Sequence, residues 1–371
     1  MNDLHGIIFA YRQNPDLREL AQKRNTCSLP YGGRYRLIDF TLSNLINAGV
    51  SDVGLIVHAS YQSLLDHVGS GKDWDLSRKH GGLRILPPFG YAGKYPNQVY
   101  RGRMDALAGV YSYLQNIRQD YVVLASGDIA ANIPMADVFQ SHLKSGADMT
   151  VVTSKTNKTD PRMTNYVTVD DSGNVTDVEI HPPVPRGEAS LEIYILSKSL
   201  LLSLVDHCAA HSEPSFSQGV LLGLLGRLKL HAYQFDGYAV RVQSVANYFE
   251  RSMELLEPCV LQSLFNVDRP VKTKDQSNPS TYYGPDSNCT CSLISDGCII
   301  EGTVSNSILS RGVHVEKGAR VENCILMQRA MVQSGAVLRY AITDKNVRVC
   351  SGRMLMGHNT YPLVIAKNEI V

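Results

Sequence analysis

No window of this sequence approaches the ~18 uninterrupted apolar residues needed to cross a membrane. It also carries no charge excess of either sign: 36 Lys and Arg stand against 35 Asp and Glu, a formal charge of +1. Such a balance offers no global field for nucleic acid or an anionic lipid surface, so any anion must be bound locally. The eight cysteines include no C-x-x-C spacing. The nearest pair, Cys289 and Cys291, is half of a zinc site at most and reads as two free thiols. The eleven histidines do not cluster either and read as structural. The opening Met1-Asn-Asp-Leu-His-Gly-Ile-Ile-Phe-Ala carries an early acid and a short apolar run, which suits a first strand better than a signal peptide. Together these absences imply a cytoplasmic chain.

What is present is a 44% hydrophobic composition over 371 residues, enough for two domains. Apolar strands are predicted at Gly6–Ala10, Val53–His58, Tyr121–Asp128 and Asp148–Thr153. Helical spacing is predicted over Asp39–Ala48, Tyr61–Val68, Met104–Ile117 and Val138–Ser145. Continuous apolar strands separated by helices predict a Rossmann-like α/β domain with a parallel sheet covered on both faces. From about Asn266 to Asn288 the composition turns to Pro, Ser, Asn and Asp, as in a linker. Beyond it small aliphatics recur about six residues apart, as in Ile294 and Ile300 or Val315 and Val321. Turn pairs such as Lys317-Gly318 and Ser334-Gly335 separate them. This period predicts a β-helix, with an antiparallel all-β domain as the alternative. The expected boundaries are 1–262, a linker at 263–290, and 291–371.

Several segments resemble one family. Tyr31-Gly-Gly-Arg-Tyr-Arg-Leu-Ile-Asp-Phe, Tyr100-Arg-Gly-Arg-Met-Asp-Ala and Tyr121-Val-Val-Leu-Ala-Ser-Gly-Asp are similar to motifs of ADP-glucose pyrophosphorylases (glucose-1-phosphate adenylyltransferases). The resemblance spans essentially the whole chain. It implies a nucleotidyltransferase domain followed by a left-handed β-helix of hexapeptide repeats. The family's reaction joins ATP and glucose 1-phosphate into ADP-glucose and pyrophosphate. That reaction needs a glycine loop to cradle phosphate and a divalent metal to neutralise its charge.

Set against the family's motifs, those positions are degraded. The loop Gly-Gly-x-Gly-x-Arg-Leu aligns with Tyr11-Arg12-Gln13-Asn14-Pro15-Asp16-Leu17, so three glycines carry side chains and Asp16 stands where an arginine should. The following Lys-Pro aligns with Thr26-Cys27, and the sugar-phosphate Glu-Lys-Pro with Ile180-His181-Pro182. One metal aspartate survives as Asp128, a possible metal remnant, whereas the second aligns with Arg241. Arg101, Gly102 and Asp105 are candidates for residual substrate contact, and Arg103 could meet an anion beside them. Arg34 and Arg36 keep the basic character of the family's regulator-binding segment.

The resemblance therefore implies a catalytically silent regulatory subunit, paired in a heterotetramer with a catalytic subunit and responsive to small anionic effectors. No cofactor is expected on this chain, and Mg²⁺ would enter through the catalytic partner. An active enzyme with a divergent loop, or a sugar-phosphate or nucleotide sensor without a partner, are the alternatives. A hexapeptide acyltransferase is disfavoured because His314 and His358 lack the setting of a catalytic histidine.

Overall fold

The computed structural model describes residues 3–58, 60–88, 100–155 and 160–371. The chain forms two compact units that are not contiguous in sequence. One comprises residues 1–12, 38–241 and 264–272, the other residues 13–37, 242–263 and 273–371.

The first unit is built on a nine-stranded sheet. Its strands are β1 (Leu4–Ala10), β2 (Asp52–Val57), β3 (Gly82–Leu86), β4 (Tyr121–Ser126), β5 (Met149–Ser154), β6 (Asn165–Val169), β7 (Val175–Ile180), β8 (Glu188–Ser197) and β9 (Leu230–Gln234). The path runs β7-β6-β8-β4-β1-β2-β3, and β5 also pairs with β8 and carries β9 on its other side. The expected parallel pairing holds for β1 with β2 and β4, and for β2 with β3. The sheet as a whole is mixed, which corrects the parallel expectation. The turn Asp170–Gly173 returns β7 antiparallel on β6, and β8 then runs antiparallel to β4, β5 and β6.

Helices α1 (Leu37–Asn47), α2 (Gln62–Val68), α3 (Arg103–Gly109), α4 (Tyr111–Gln115), α5 (Met135–Ser145) and α6 (Lys198–Ala210) follow the apolar spacing of the sequence. The single helix expected over Met104–Ile117 is broken at Val110, where φ is −116°. α1 carries Asp39, fully buried and bonded at 2.6 Å to His67 of α2. Ser197 caps α6 by accepting from the Leu200 amide. The aliphatic residues of β1, β4 and β8 pack against α3, α4 and α6 in one core that includes Ile7, Leu107, Leu124 and Leu196.

The second unit is the left-handed β-helix that the six-residue period predicts. Three parallel five-stranded faces stack coil on coil. On the first, Tyr282, Ile299, His314, Met331 and Arg348 are in register; on the second, Cys289, Val304, Val321, Leu338 and Leu355; on the third, Ile294, Leu309, Leu326 and Thr343. The inward residues Ile300, Val304, Leu309, Val315, Val321, Leu326 and Val332 form a continuous aliphatic stack. Corners turn on left-handed residues, among them Gly318, Gly335 and Gly352 at φ near 70–77°. The first coil begins at Tyr282, inside the segment read as linker. Its side chains are exposed, so burial imposes no periodic signal there.

Residues 13–37 and helix α7 (Val245–Met253) belong to this second unit. The Tyr248 hydroxyl donates to the Pro30 carbonyl at 2.8 Å, and the Tyr31 hydroxyl to that of Arg251 at 2.9 Å. Replacing Leu338, fully buried in the aliphatic stack, by Ala should cost about 3 kcal/mol of stability through transfer and cavity terms. Urea unfolding followed by circular dichroism should show the lowered midpoint.

Candidate functional site

The polypeptide leaves β1 and β4 at the carboxyl edge of the sheet, and there Arg12 and Asp128 emerge. Arg241 ends a short strand, Ala239–Arg241, whose antiparallel pairing places it opposite Ile129 and so beside Asp128. Arg103 opens α3. Glu192 lies within β8 where the register shifts, at a φ of 54°. A left-handed backbone is costly for a residue with a side chain and persists only where the surroundings enforce it.

These side chains form one charged cluster. Arg241 Nη1 lies 2.8 Å from Glu192 Oε1, and its Nε 3.5 Å from Asp128 Oδ1. Arg12 reaches Asp128 at 3.6 Å and Glu192 at 3.7 Å, and Arg103 donates to the other Glu192 oxygen. Asp128, Glu192 and Arg241 are all at most 4% exposed. Burial pushes the Asp128 carboxyl upward, but Arg241 and Arg12 outweigh it and hold the group below its ordinary range. Glu192 is likewise pushed up by burial and driven well below its ordinary range by Arg103, Arg241 and Arg12. Both carboxylates are therefore ionised. Three guanidinium groups against two carboxylates leave the cluster one positive charge in excess.

This donor set does not fit a divalent cation. A magnesium ion needs several oxygens converging with cations kept away. Here the Asp128 oxygens face Arg241 and Arg12 instead. Among the described residues no group of His, Cys, Asp or Glu gathers as a metal site. Asp128 stands here as an ion-pair partner of Arg241 and Arg12.

A cavity of about 340 Å³ opens beside the cluster, lined in part by Tyr11, Arg12, Arg103, Asn165, His181 and Glu192. His181, at a φ of 50°, is held below its usual range by partial burial, with Arg12 and Arg241 adding to the effect against Glu192. Gly102 also lines the cavity; a Cβ there would stand 2.2 Å from the Pro214 carbonyl oxygen. Arg101 pairs with Asp105 at 2.8 Å on the surface. That occupies both as a helix-start ion pair of little energetic worth.

Of the degraded loop positions, only Tyr11 and Arg12 belong to this unit. Asn14 and Asp16 fall in the second unit, where the glycine-free segment folds into a 3₁₀ helix, Pro15–Leu20. Asn14 caps it by accepting from the Asp16 amide, and its own amide donates to the Gln243 carbonyl at 2.5 Å. Thr26 is buried in the next such turn.

A second positive site lies wholly in the β-helix unit. The Gly32-Gly33 turn, at φ 62° and 80°, joins the short strands Pro30–Tyr31 and Tyr35–Arg36, and a Cβ on Gly33 would stand 2.6 Å from Ser295 Oγ. Arg34 is exposed, its guanidinium 5.7 Å from the Tyr35 ring centre. Arg24 makes a buried bidentate pair with Asp344 at 2.6 and 2.7 Å. Lys345 is drawn down to about 7, first by burial and then by Arg36 and Arg24, with Lys367 contributing. Lys345 thus feels Arg36, Arg24 and Lys367, with Asp344 opposing them.

A nucleotidyl transferase family model matches residues 14–248, and a GlmU-like C-terminal hexapeptide model matches residues 281–361. The chain is 32% identical over 371 residues to a protein of Bacillus subtilis described as glycogen biosynthesis protein GlgD, covering 100% of this chain and 97% of that one. It is 32% identical over 327 residues to a glucose-1-phosphate adenylyltransferase of Thermotoga neapolitana, covering 87% and 77%. A Bacillus thuringiensis enzyme of the same description is 31% identical over 354 residues, 94% of each chain. The chain belongs to the ADP-glucose pyrophosphorylase family. No described helix is long and apolar enough to cross a membrane.

The sequence reading missed Glu192. A lone acid inside the apolar run Ala189-Ser-Leu-Glu-Ile-Tyr-Ile-Leu was the available signal, because a buried charge demands partners. Replacing Arg241 by Ala should strand part of that charge and cost about 3–5 kcal/mol. Since both carboxylates titrate below their unfolded values, the cluster stabilises above about pH 4 and loses that contribution as pH falls through the folded values. Loss of Arg241 raises those folded values. The acid-unfolding midpoint of R241A should therefore move to higher pH, and an unchanged midpoint would contradict the assigned pairing.

Proposed function

We propose that this chain is a regulatory, catalytically silent subunit of an ADP-glucose pyrophosphorylase, working in a heterotetramer with a catalytic subunit. The observation that carries the reading is the guanidinium of Arg241 set between Asp128 and Glu192. Nucleotidyl transfer in this family calls for a metal-neutralised polyphosphate, and a fixed organic cation is no Lewis acid. The loop that would cradle phosphate is a closed helical turn capped by Asn14. Such a subunit acts by binding the catalytic partner's active conformation better than its inactive one. The expected coupling is ~1–3 kcal/mol, or about 5- to 150-fold.

The anionic effector belongs at Arg36, Lys345 and Lys367, with Arg34 at its exposed margin. Lys345, drawn down to about 7, takes up a proton when an anion arrives. Effector binding should therefore weaken as pH rises through neutrality. Paired substitutions R36Q and K345Q should abolish both the binding and its pH dependence in a titration calorimeter.

The deciding assay follows ADP-glucose formation from ATP, glucose 1-phosphate and Mg²⁺. The chain alone should be silent and should raise kcat or lower KM of the catalytic subunit when mixed with it. Ordinary turnover by the isolated chain, abolished by Asp128→Ala, would refute the reading.

A further inference from the structure

The first unit holds another cavity, at the amino-terminal ends of the parallel strands and so at the opposite end of the sheet from Arg12 and Asp128. Its volume is about 510 Å³, within the range of small-molecule sites. His5 of β1, Asp52 at the start of β2 and Arg84 of β3 line it, together with Lys79, Arg118 and Gln119.

Three features make it a built site. Lys79, Arg84 and Arg118 are exposed, and none forms an ion pair with a carboxylate among the described residues. Arg84 is instead steadied by the Tyr113 ring, 5.6 Å from its guanidinium carbon. Opposite them the polar floor is organised. The Tyr113 hydroxyl and His5 Nε2 lie 2.9 Å apart, and Gln119 donates to Asp52 Oδ2 at 3.3 Å. His5 is 2% exposed, and neither its Nδ1 nor Gln119 Oε1 has a hydrogen-bond partner among the described residues. Burial holds His5 down at about 4, with Arg84 adding to the effect against Asp52 and Gln119, so its imidazole is neutral near pH 7. Finally, Gly81 at φ 82° lets the Lys79-His80 turn close over Asp52, because a Cβ there would stand 3.1 Å from that carboxylate.

We infer that this cavity binds a phosphorylated sugar, with the phosphate on Lys79, Arg84 and Arg118 and the sugar hydroxyls on Asp52 and Gln119. A dianionic phosphate is the ligand that unpaired cations at a rim select. The lone carboxylate on the floor repels a bare anion yet accepts from hydroxyl groups, which favours an ester carrying a polyol over free phosphate. The inference is independent of the regulatory reading above.

The test is calorimetric titration of the full chain with glucose 6-phosphate and, separately, inorganic phosphate. Saturable binding of the sugar phosphate is expected, at least tenfold weaker in R84Q/R118Q. In D52N the preference for sugar phosphate over phosphate should shrink. All three side chains are at or near the surface, and retained thermal melting confirms that each variant folds. Should R84Q/R118Q fail that control, K79Q stands in for it with at least threefold weakening. Absence of saturable binding, or binding that survives R84Q/R118Q, overturns the inference. Binding lost in R36Q but kept in R84Q/R118Q also overturns it and assigns the anion to the β-helix cluster instead.

Discussion

Charge taken out of water must be compensated where it sits, and that constraint governs the centre of the first unit. Asp128 and Glu192 are buried carboxylates, each of which would be intolerable alone. Their compensation comes from chain segments far apart in sequence: the end of β1 with Arg12, the start of α3 with Arg103, and the strand that ends in Arg241. Neutralising the pair therefore fixes the mutual position of those segments. The left-handed backbone at Glu192 is tolerable for the same reason, since three arginines hold the side chain that makes it costly.

A comparable economy appears in the second unit. The aliphatic stack of the β-helix needs only small inward residues and corners that accept positive φ, so its sequence can drift as long as those positions are kept. Phenylalanine is absent from its inward stack, and Val, Ile and Leu dominate. The face carrying Ile308 and Ile325 is buried outside as well as inside, which requires a cover. Residues 13–37 belong to this unit, and a Cβ on Gly33 would stand 2.6 Å from Ser295 Oγ and 4.0 Å from the Ile308 side chain.

Much of this was legible in the sequence because each part left a local trace. Strands buried on both faces wrote continuous apolar runs, and the β-helix wrote a six-residue period with glycine corners. The departures of Tyr11, Arg12, Asn14 and Asp16 from the family's loop motif are likewise visible residue by residue, because glycine and arginine have few substitutes in such a loop. What stayed hidden depends on long-range pairing. The sheet is mixed because β8 inserts between β4, β5 and β6, and antiparallel and parallel strands carry the same apolar pattern when both faces are covered. Glu192 was overlooked because nothing adjacent to it in sequence announces Arg12, Arg103 and Arg241. Likewise, no local pattern could say that residues 13–37 fold with a domain that begins over two hundred residues later.

The guanidinium of Arg241 beside Asp128 has a further physical consequence. A bound divalent ion is exchangeable and keeps positions open for phosphate oxygens, whereas a guanidinium is permanently charged, permanently attached and already engaged with its carboxylates. It pairs with Asp128 and Glu192 yet leaves no open coordination site. Fold and chemistry thereby come apart. The buried carboxylates of the first unit are compensated by side chains of the chain itself. A chain with these properties keeps whatever depends on shape and on fixed charge. It gives up what depends on an exchangeable Lewis acid, which is the division of labour that the proposed regulatory reading calls for.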